Sequence, residues 1–491
     1  MKEAGIIKPI PFSTIESLPD IDEAGADCLL KQELDQCRKK VVVLDDDPTG
    51  VQTVHDVSVY TDWEPETFSD GFEEDSRMFF ILTNSRGMTA PQTEEAHKKI
   101  ADGIMKASRK YQKDFILISR SDSTLRGHYP LETEVLREEL EAGGQPVFDG
   151  EIIYPFFKEG GRYTLNKVHY VKEGDWLVPA GMTEFAKDKS FGYVASDLTE
   201  WCEEKTYGKY PADGVVWISI TDLRLQNVEK ITEQLMNVSN FGKVVVDSAD
   251  YADVKIFATA CLRAMEAGKR FLFRSAAAIT RVLGGVSEQP LLTKKDLVIP
   301  GNTNGGIILI GSHVNKTTLQ MEDLRNCRYP IYFIEFNQHL VLQEGGLEEE
   351  VQRVIREAEA RIISGQTVVV YTRRERFDLN TDDKDKQLEV SVRISNAVTS
   401  IIGLLKVRPN FIIAKGGITS SDVGTKALKV HRAVVMGQIK AGIPVWMTGD
   451  ESKFPGMPYV IFPGNVGEIS TLRETVETLM ELESIKFSIK E

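Results

Sequence analysis

The sequence predicts an α/β protein of two α/β domains with largely parallel sheets. Three observations carry this. Short runs that are apolar throughout recur along the chain, as in strands covered on both faces. Stretches with helical spacing lie between many of them, and repeated strand–helix–strand units build parallel sheets. A stretch without periodicity, GGVSEQPLLTKKDLVIPGNTNGG, divides one such series from a second.

Taken in order, residues 1–38 read as an N-terminal extension. Within it IDEAGADCLLKQELDQCRKK runs from acidic to basic, the direction a helix dipole favours. The first domain spans 39–285. Its expected strands are VVVLD (41–45), MFFILTN (78–84), DFILISR (114–120), EIIYP (151–155), GVVWISI (214–220) and KVVVDS (243–248). The helix expected over 90–111 carries Pro91 in its first turn, where the missing N–H is not needed. A linker over 286–306 leads to the second domain, 307–491. Its expected strands are IILIGS (307–312), IYFIEF (331–336), TVVVYT (367–372), FIIAKGG (411–417), PVWMTG (444–449) and YVIFPG (459–464).

Composition narrows the function. The 491 residues are 42% hydrophobic and 27% charged, as in a globular protein of about two to four domains. A net charge of −15 argues against a nucleic-acid or anionic membrane partner, yet a local Arg/Lys pocket can still hold a small anion. Five scattered cysteines show no CxxC and no zinc spacing, which predicts a cytoplasmic protein without disulfides. MKEAGIIKPIPF lacks a signal-peptide core, and no apolar run approaches the roughly 20 residues that span a bilayer.

Ligands of open parallel sheets bind beyond the carboxyl ends of strands. Three polar clusters fall there: DDDPTG at 45–50, TNSRG at 83–87 and SRSDSTLRGHYP at 119–130. Stacked carboxylates raise one another's pKa, and burial raises them further. Asp45, Asp46 and Asp47 therefore form either a solvated turn or a site for a metal or a polyhydroxy substrate. The third cluster crowds Arg120, Arg126, Asp122, Ser119, Ser121, Ser123 and Thr124 into one loop. Arginine grips a carboxylate with paired hydrogen bonds, and aspartates and hydroxyls suit sugar hydroxyls, so the mixture suits an acidic sugar. YPFFKEGGRYTLNKVHYV adds Lys158, Arg162 and His169; a lone histidine is more often packed than catalytic.

The second domain offers three glycine loops at strand ends, IILIGSHVNKTT, FIIAKGGITSSDVG and YVIFPGNVGE. Glycines let backbone amides approach a phosphate, and a following helix adds positive potential. The GxxxxGK[ST] and GxGxxG fingerprints are absent. A competing reading comes from Asp45, Asp47 and Thr49, which fit DxDxT, the first motif of haloacid dehalogenase-type phosphatases. Asp247 and Asp250 are then candidates for the later acidic pair. That reading leaves the glycine loops without a role.

The ordered motifs are similar to those of the four-carbon acid sugar kinase family, over almost the whole chain past the first 40 residues. They are Asp46 to Gly50, Asp122 to Gly127, Tyr154 to Thr164 with His169, Arg274 to Ala277, Gly311-Ser312, Gly416 to Thr419 and Gly464 to Gly467. The resemblance implies an ATP-dependent kinase of threonate, erythronate or 3-oxo-tetronate. The acid would bind the first domain and ATP the second, with Mg2+ bridging the phosphates and an active-site cleft expected between the domains. ATP contacts carry over to Ser312, Gly416, Gly417, Ile418, Thr419 and Gly464. The chain departs from the family pattern at Asp45, His128 and Ile418. Residue chemistry makes Asp46 or Asp47 the candidate base. Thr49, Arg86, Asp122, Ser123, Arg126 and Lys158 are the candidate substrate contacts, with Arg126, Arg86 and Lys158 facing the carboxylate. Metal ligands and subunit number stay unassigned, a homo-oligomer included. Ile418 keeps a non-catalytic sugar-acid-binding protein as a further alternative.

Overall fold

The computed structural model describes residues 7–297, 299, 301–375, 377, 379, 384–464 and 466–481. The chain divides into two compact units, Met1–Glu288 and Gln289–Glu491.

The first unit is organised by a parallel sheet. In chain order its strands are β2 (Lys40–Asp45), β3 (Val57–Tyr60), β4 (Met78–Leu82), β5 (Phe115–Arg120), β6 (Gly150–Tyr154), β10 (Val216–Ile218), β11 (Gly242–Val246) and β12 (Phe271–Ser275). Their order across the sheet is β10-β11-β6-β12-β5-β2-β4-β3, and every neighbouring pair is parallel. All residues of β2, β4, β5, β6 and β12 are buried; the first four carry the apolar runs read from the sequence, whereas β12, FLFRS, was not among the expected strands. The helix Ala90–Tyr111 starts as expected, with Pro91 in its first turn and Gln92 Oε1 accepting the Thr89 N–H at 2.9 Å. β2 lies between β4 and β5: the chain goes from β2 to β3 and β4 on one side and then crosses to β5 on the other, so the strand order reverses at β2. A crevice for ligands opens at such a switch point.

A small antiparallel sheet, β1 (Ile10–Pro11), β7 (Arg162–Leu165), β8 (Val168–Glu173) and β9 (Trp176–Pro179), runs in the order β1-β9-β8-β7. Sequence reading did not anticipate it. The β7–β8 turn is Asn166-Lys167 with φ of 50° and 70°, the left-handed pair that a two-residue hairpin requires. β1 ties the start of the chain to this sheet through Ile10 opposite Leu177. The helix Glu23–Gln36 is tied to helix Tyr251–Glu266 by Lys255–Asp27 at 2.5 Å and Arg263–Glu33 at 2.7 Å.

The second unit has five parallel strands, β14 (Ile331–Phe336), β15 (Thr367–Thr372), β13 (Ile307–Ile310), β16 (Ile412–Lys415) and β19 (Pro458–Phe462), adjacent in that order. β18 (Ile443–Thr448) and β17 (Arg432–Lys440) extend it antiparallel beyond β19. β17 alternates buried and more exposed positions, the period of a strand with one covered face. Leu292 and Leu297, from the stretch read as a linker, are buried in this unit's core, and Leu292 N–H donates to Gln438 O at 2.7 Å. No helix among the described residues is long and apolar enough to cross a membrane.

Asp247, at the end of β11, shows how loops are pinned in the first unit. Its buried carboxylate accepts the Asn166, Lys167 and Ile220 N–H groups and the Trp217 Nε1–H, at 2.9–3.0 Å. An amide offers one acceptor oxygen, so at least one donor would face an NH2. Asp247→Asn is expected to lower unfolding stability by about 1–3 kcal/mol, read as a lower urea midpoint.

Candidate active site

The three carboxylates that end β2 are held by charge. Arg120, the last residue of β5, donates to Asp45 Oδ1 at 3.0 Å. It also lies 3.5 Å from Asp46 Oδ1 and 3.8 Å from Asp47 Oδ1. Arg86, from the loop after β4, donates from Nε and Nη2 to both oxygens of Asp46, at 3.0 and 2.5 Å, and from Nη1 to Asp47. Ser121 Oγ donates to Asp46 Oδ2 at 2.8 Å. The Thr49 hydroxyl and N–H both bond Asp47 Oδ1, the N–H at 2.7 Å. The Asp45 carboxylate packs so closely on Gly50 that an added Cβ would overlap both of its oxygens.

Two arginines face three carboxyls, so the compensating charge falls one short. Burial pushes the Asp45 carboxyl up to about 8; Asp46 and Asp47 reinforce this and Arg120 opposes it. Burial likewise raises Asp46 against the pull of Arg86. For Asp47 burial also pushes upward, but Arg86, Arg120 and the Thr49 hydrogen bonds outweigh it and keep the carboxyl below its usual range. Asp47 is thus the one carboxyl of the three held below its usual range, and its side chain is 14% exposed where that of Asp46 is 2%.

The three acids bring ligand atoms within 4.8 Å of one another. The arginines, Ser121 and Thr49 already occupy those oxygens, so the cluster does not fit a resident divalent cation. Asp247 and Asp250, the later acids of the phosphatase reading, are engaged elsewhere. Asp247 is saturated as described above. Asp250 accepts the Tyr251 N–H at 2.7 Å and pairs with Lys158 at 2.5 Å.

The Asp122–Gly127 loop stands beside this cluster. Asp122 takes Arg126 Nε at 2.6 Å and the Thr124 hydroxyl; burial pushes its carboxyl up, but Arg126 and Arg86 prevail and hold it well below the usual range. Ser121 Oγ bridges the two groups, touching Asp46 and also Arg126 O at 3.2 Å. Arg274 from β12 braces the loop from beneath through Asp122 O at 3.2 Å and Arg126 O at 3.0 Å. Ser123 is buried, and its carbonyl accepts His169 Nε2–H at 2.8 Å. Burial pushes His169 down to about 4, so it is a neutral strut and not a titrating catalyst.

Thus Asp46, Asp47, Thr49, Arg86, Asp122, Ser123 and Arg126 are brought together through shared partners. Lys158 is instead ion-paired with Asp250. Arg86 faces the protein's own carboxylates with Nε and both Nη atoms.

In the second unit, the loops after β13, β16 and β19 converge. A Cβ on Gly464 would lie 3.9 Å from Ser312 Oγ and 4.0 Å from Gly416 Cα. Gly416 has φ +118°, and a Cβ there would come within 3.1 Å of Ser312 Cβ. Thr419 packs against Gly311 so tightly that a Cβ at 311 would overlap its hydroxyl. Gly417 has open space around it, and Ile418 is 71% exposed. Arg374 braces the first loop, donating to Ser312 O at 2.8 Å and Thr318 Oγ1 at 2.7 Å. Sequence reading missed Lys415. It is buried at the end of β16, with Nζ donating to Pro463 O at 3.1 Å and lying 4.1 Å from the Phe462 ring centre.

Comparison with known proteins agrees with this division. Residues 41–283 match the family model of a sugar-binding N-terminal domain, and residues 307–472 that of a nucleotide-binding C-terminal domain. Among solved structures, the chain is similar to a Haemophilus influenzae protein of the DUF1537 family, at 17% identity and a TM-score of 0.56, covering 89% of this chain and 100% of that one. It is also similar to a Salmonella typhimurium LT2 protein provisionally described as a tRNA synthase, at 15% identity and a TM-score of 0.60, covering 89% and 98%. At these identities the likeness is one of fold. A comparison with curated proteins found no match.

Lys415 has a measurable signature. Burial, with Lys316 acting in the same direction, pushes it down from 10.5 to about 7. Between those values the unfolded chain binds more protons than the folded one, so stability rises with pH there. The penalty of burying the ammonium is present in full below about pH 7 and fades above it. Lys415→Met is expected to melt above wild type at pH 6, with the gap closing toward pH 9.5. A gap that stays constant or widens over that range would refute the assignment.

Proposed function

The chain belongs to the four-carbon acid sugar kinase family, and from that premise we propose that it is an ATP-dependent kinase phosphorylating a hydroxyl of a small four-carbon sugar acid such as threonate, erythronate or 3-oxo-tetronate. The observation that carries the reading is the union of Asp46 and Asp47 with the Asp122–Arg126 loop at one rim of the parallel sheet. Carboxylates that accept sugar hydroxyls stand there beside an arginine able to face a carboxylate.

Phosphoryl transfer depends on positioning and on stabilising charge. In this proposal ATP arrives as its magnesium complex, a substrate whose phosphates keep their own cation. The loops at Ser312, Gly416–Thr419 and Gly464 cradle those phosphates with backbone N–H groups. Asp47, ionised and the more exposed of the two candidate bases, receives the hydroxyl hydrogen bond. It orients the oxygen for attack on the terminal phosphorus and takes its proton as ADP leaves. Asp46 holds Arg86 and Ser121 in place, and Arg86 keeps Asp47 anionic. Asp122 and Ser123 border the substrate's hydroxyls, and Arg126 its carboxylate.

The test is a coupled ADP-release assay with magnesium-ATP across a panel of four-carbon sugar acids. Wild type is expected to turn over at least one acid. Asp47→Asn, still folded, is expected to lose roughly 10²- to 10⁴-fold in kcat, the usual scale for an acid–base group. Acid binding without ADP release would favour the non-catalytic alternative. Turnover undiminished in Asp47→Asn would remove that residue from the chemistry.

A further inference from the structure

Arg162 has a place in the fold that the proposed roles leave unused. It opens β7 and is only 8% exposed. Its Nη1 donates to Gly160 O, a carbonyl two residues back, and its Nε is buried without a partner. Among the described residues no carboxylate forms an ion pair with it. The Nε atoms of the buried Arg120 and Arg274 also lack a partner, but their Nη groups are used for bracing: Arg120 donates to Asp45, and Arg274 donates to two carbonyls of the Asp122–Arg126 loop, whereas Arg162 reaches only the carbonyl of its own turn. Taking a guanidinium out of water without a counter-charge is costly, and proteins seldom retain one without use.

We propose that Arg162, together with Arg126, forms the subsite that takes the carboxylate of the acid substrate. The proposal rests on the kinase reading above. Both guanidinium carbons flank one ring, Arg126 at 5.1 Å and Arg162 at 5.7 Å from the centre of Phe185. Arg126 commits Nε to Asp122, and its Nη1 reaches Asp188 only at 3.7 Å, which leaves donors for a ligand. A planar carboxylate suits two such forks, and the aromatic wall limits competing water. Ser121 Oγ links Arg126 O to Asp46, so the subsite adjoins the carboxylates assigned to the hydroxyl. A short acid could therefore be held at one end and phosphorylated at the other. Burial and Arg126 both act against the Arg162 charge, with Asp122 opposing them, and an arriving anion would relieve the strain. Lys158, paired with Asp250, is not required.

The experiment uses the full chain, wild type beside Arg162→Met and Arg162→Lys, in two measurements. In thermal melts with threonate or erythronate and no ATP, the acid that stabilises wild type is expected to leave Arg162→Met unshifted. Without ligand, Arg162→Met should melt at or above wild type, since it removes an unpaired buried charge. A structural arginine would instead melt lower when replaced. In ADP-release assays, Arg162→Met should raise KM for the acid at least tenfold with KM for ATP unchanged. Its preference for threonate over the neutral polyol threitol should collapse, and Arg162→Lys should recover part of it. A variant that melts lower and is still shifted by the acid as wild type is would overturn the subsite. An Arg162-dependent shift in a chain that never releases ADP would keep the subsite and sink the kinase reading instead.

Discussion

Three adjacent carboxylates at the buried end of a central strand cannot all stay charged without compensation, and the architecture of the first unit follows from supplying it. The positive charge must come from the strands on either side. β5 ends in Arg120, and the loop after β4 delivers Arg86. Both arginines reach the cluster because β4 and β5 flank β2. Compensation is incomplete, and the remaining proton on the cluster separates the acids into different states. Asp47 is left with its carboxyl below the usual range and is the most exposed of the three. The same crowding dictates small residues. Gly50 must admit the Asp45 carboxylate, and Gly127, at φ +129°, must admit Ser121.

The two units solve different electrostatic problems with one architectural device. Each places its loops where a parallel sheet reverses strand order. In the first unit those loops carry arginines and aspartates, which can distinguish carboxylate from hydroxyl. In the second they carry glycines, hydroxyls and backbone amides, which suit phosphate oxygens whatever else the ligand bears. Lys415 belongs to the framework of that second site, its ammonium fastening the end of β16 to the carbonyl before Gly464.

The sequence was most legible where burial on both faces left an unbroken apolar run, as in β2, β4, β5 and β13. It was least legible where polarity intruded. β12 ends in Arg274 and Ser275, so a strand in the middle of the sheet looked like a motif alone. The small sheet escaped because Asn166-Lys167 lacks the glycine that usually marks a tight hairpin, and because β1 is only two residues long. In the site, clusters dense in charge were visible as letters, whereas their pairing was not. Nothing in the order of residues separates Arg86, which gives Nε and both Nη atoms to the protein's own acids, from Arg126, which gives only Nε to Asp122 at hydrogen-bond distance. Lys158 and Arg162 lie four positions apart, yet one is an exposed ion pair and the other a buried cation with no ion-paired carboxylate among the described residues. Lys415 falls within the expected strand 411–417, but nothing in the letters shows that its side chain is buried.

The position of β12 has a consequence for how the first unit comes into being. It is the last strand of that unit to leave the ribosome, yet it inserts between β5 and β6. Until residues 271–275 emerge, both of those strands present open edges in the interior of a hydrophobic sheet, the kind of edge that recruits foreign strands. Arg274, the brace beneath the Asp122–Arg126 loop, arrives in the same step. Closing the sheet and setting the loop are thus one late event, and a nascent chain halted before it holds nearly all the site's letters without the site.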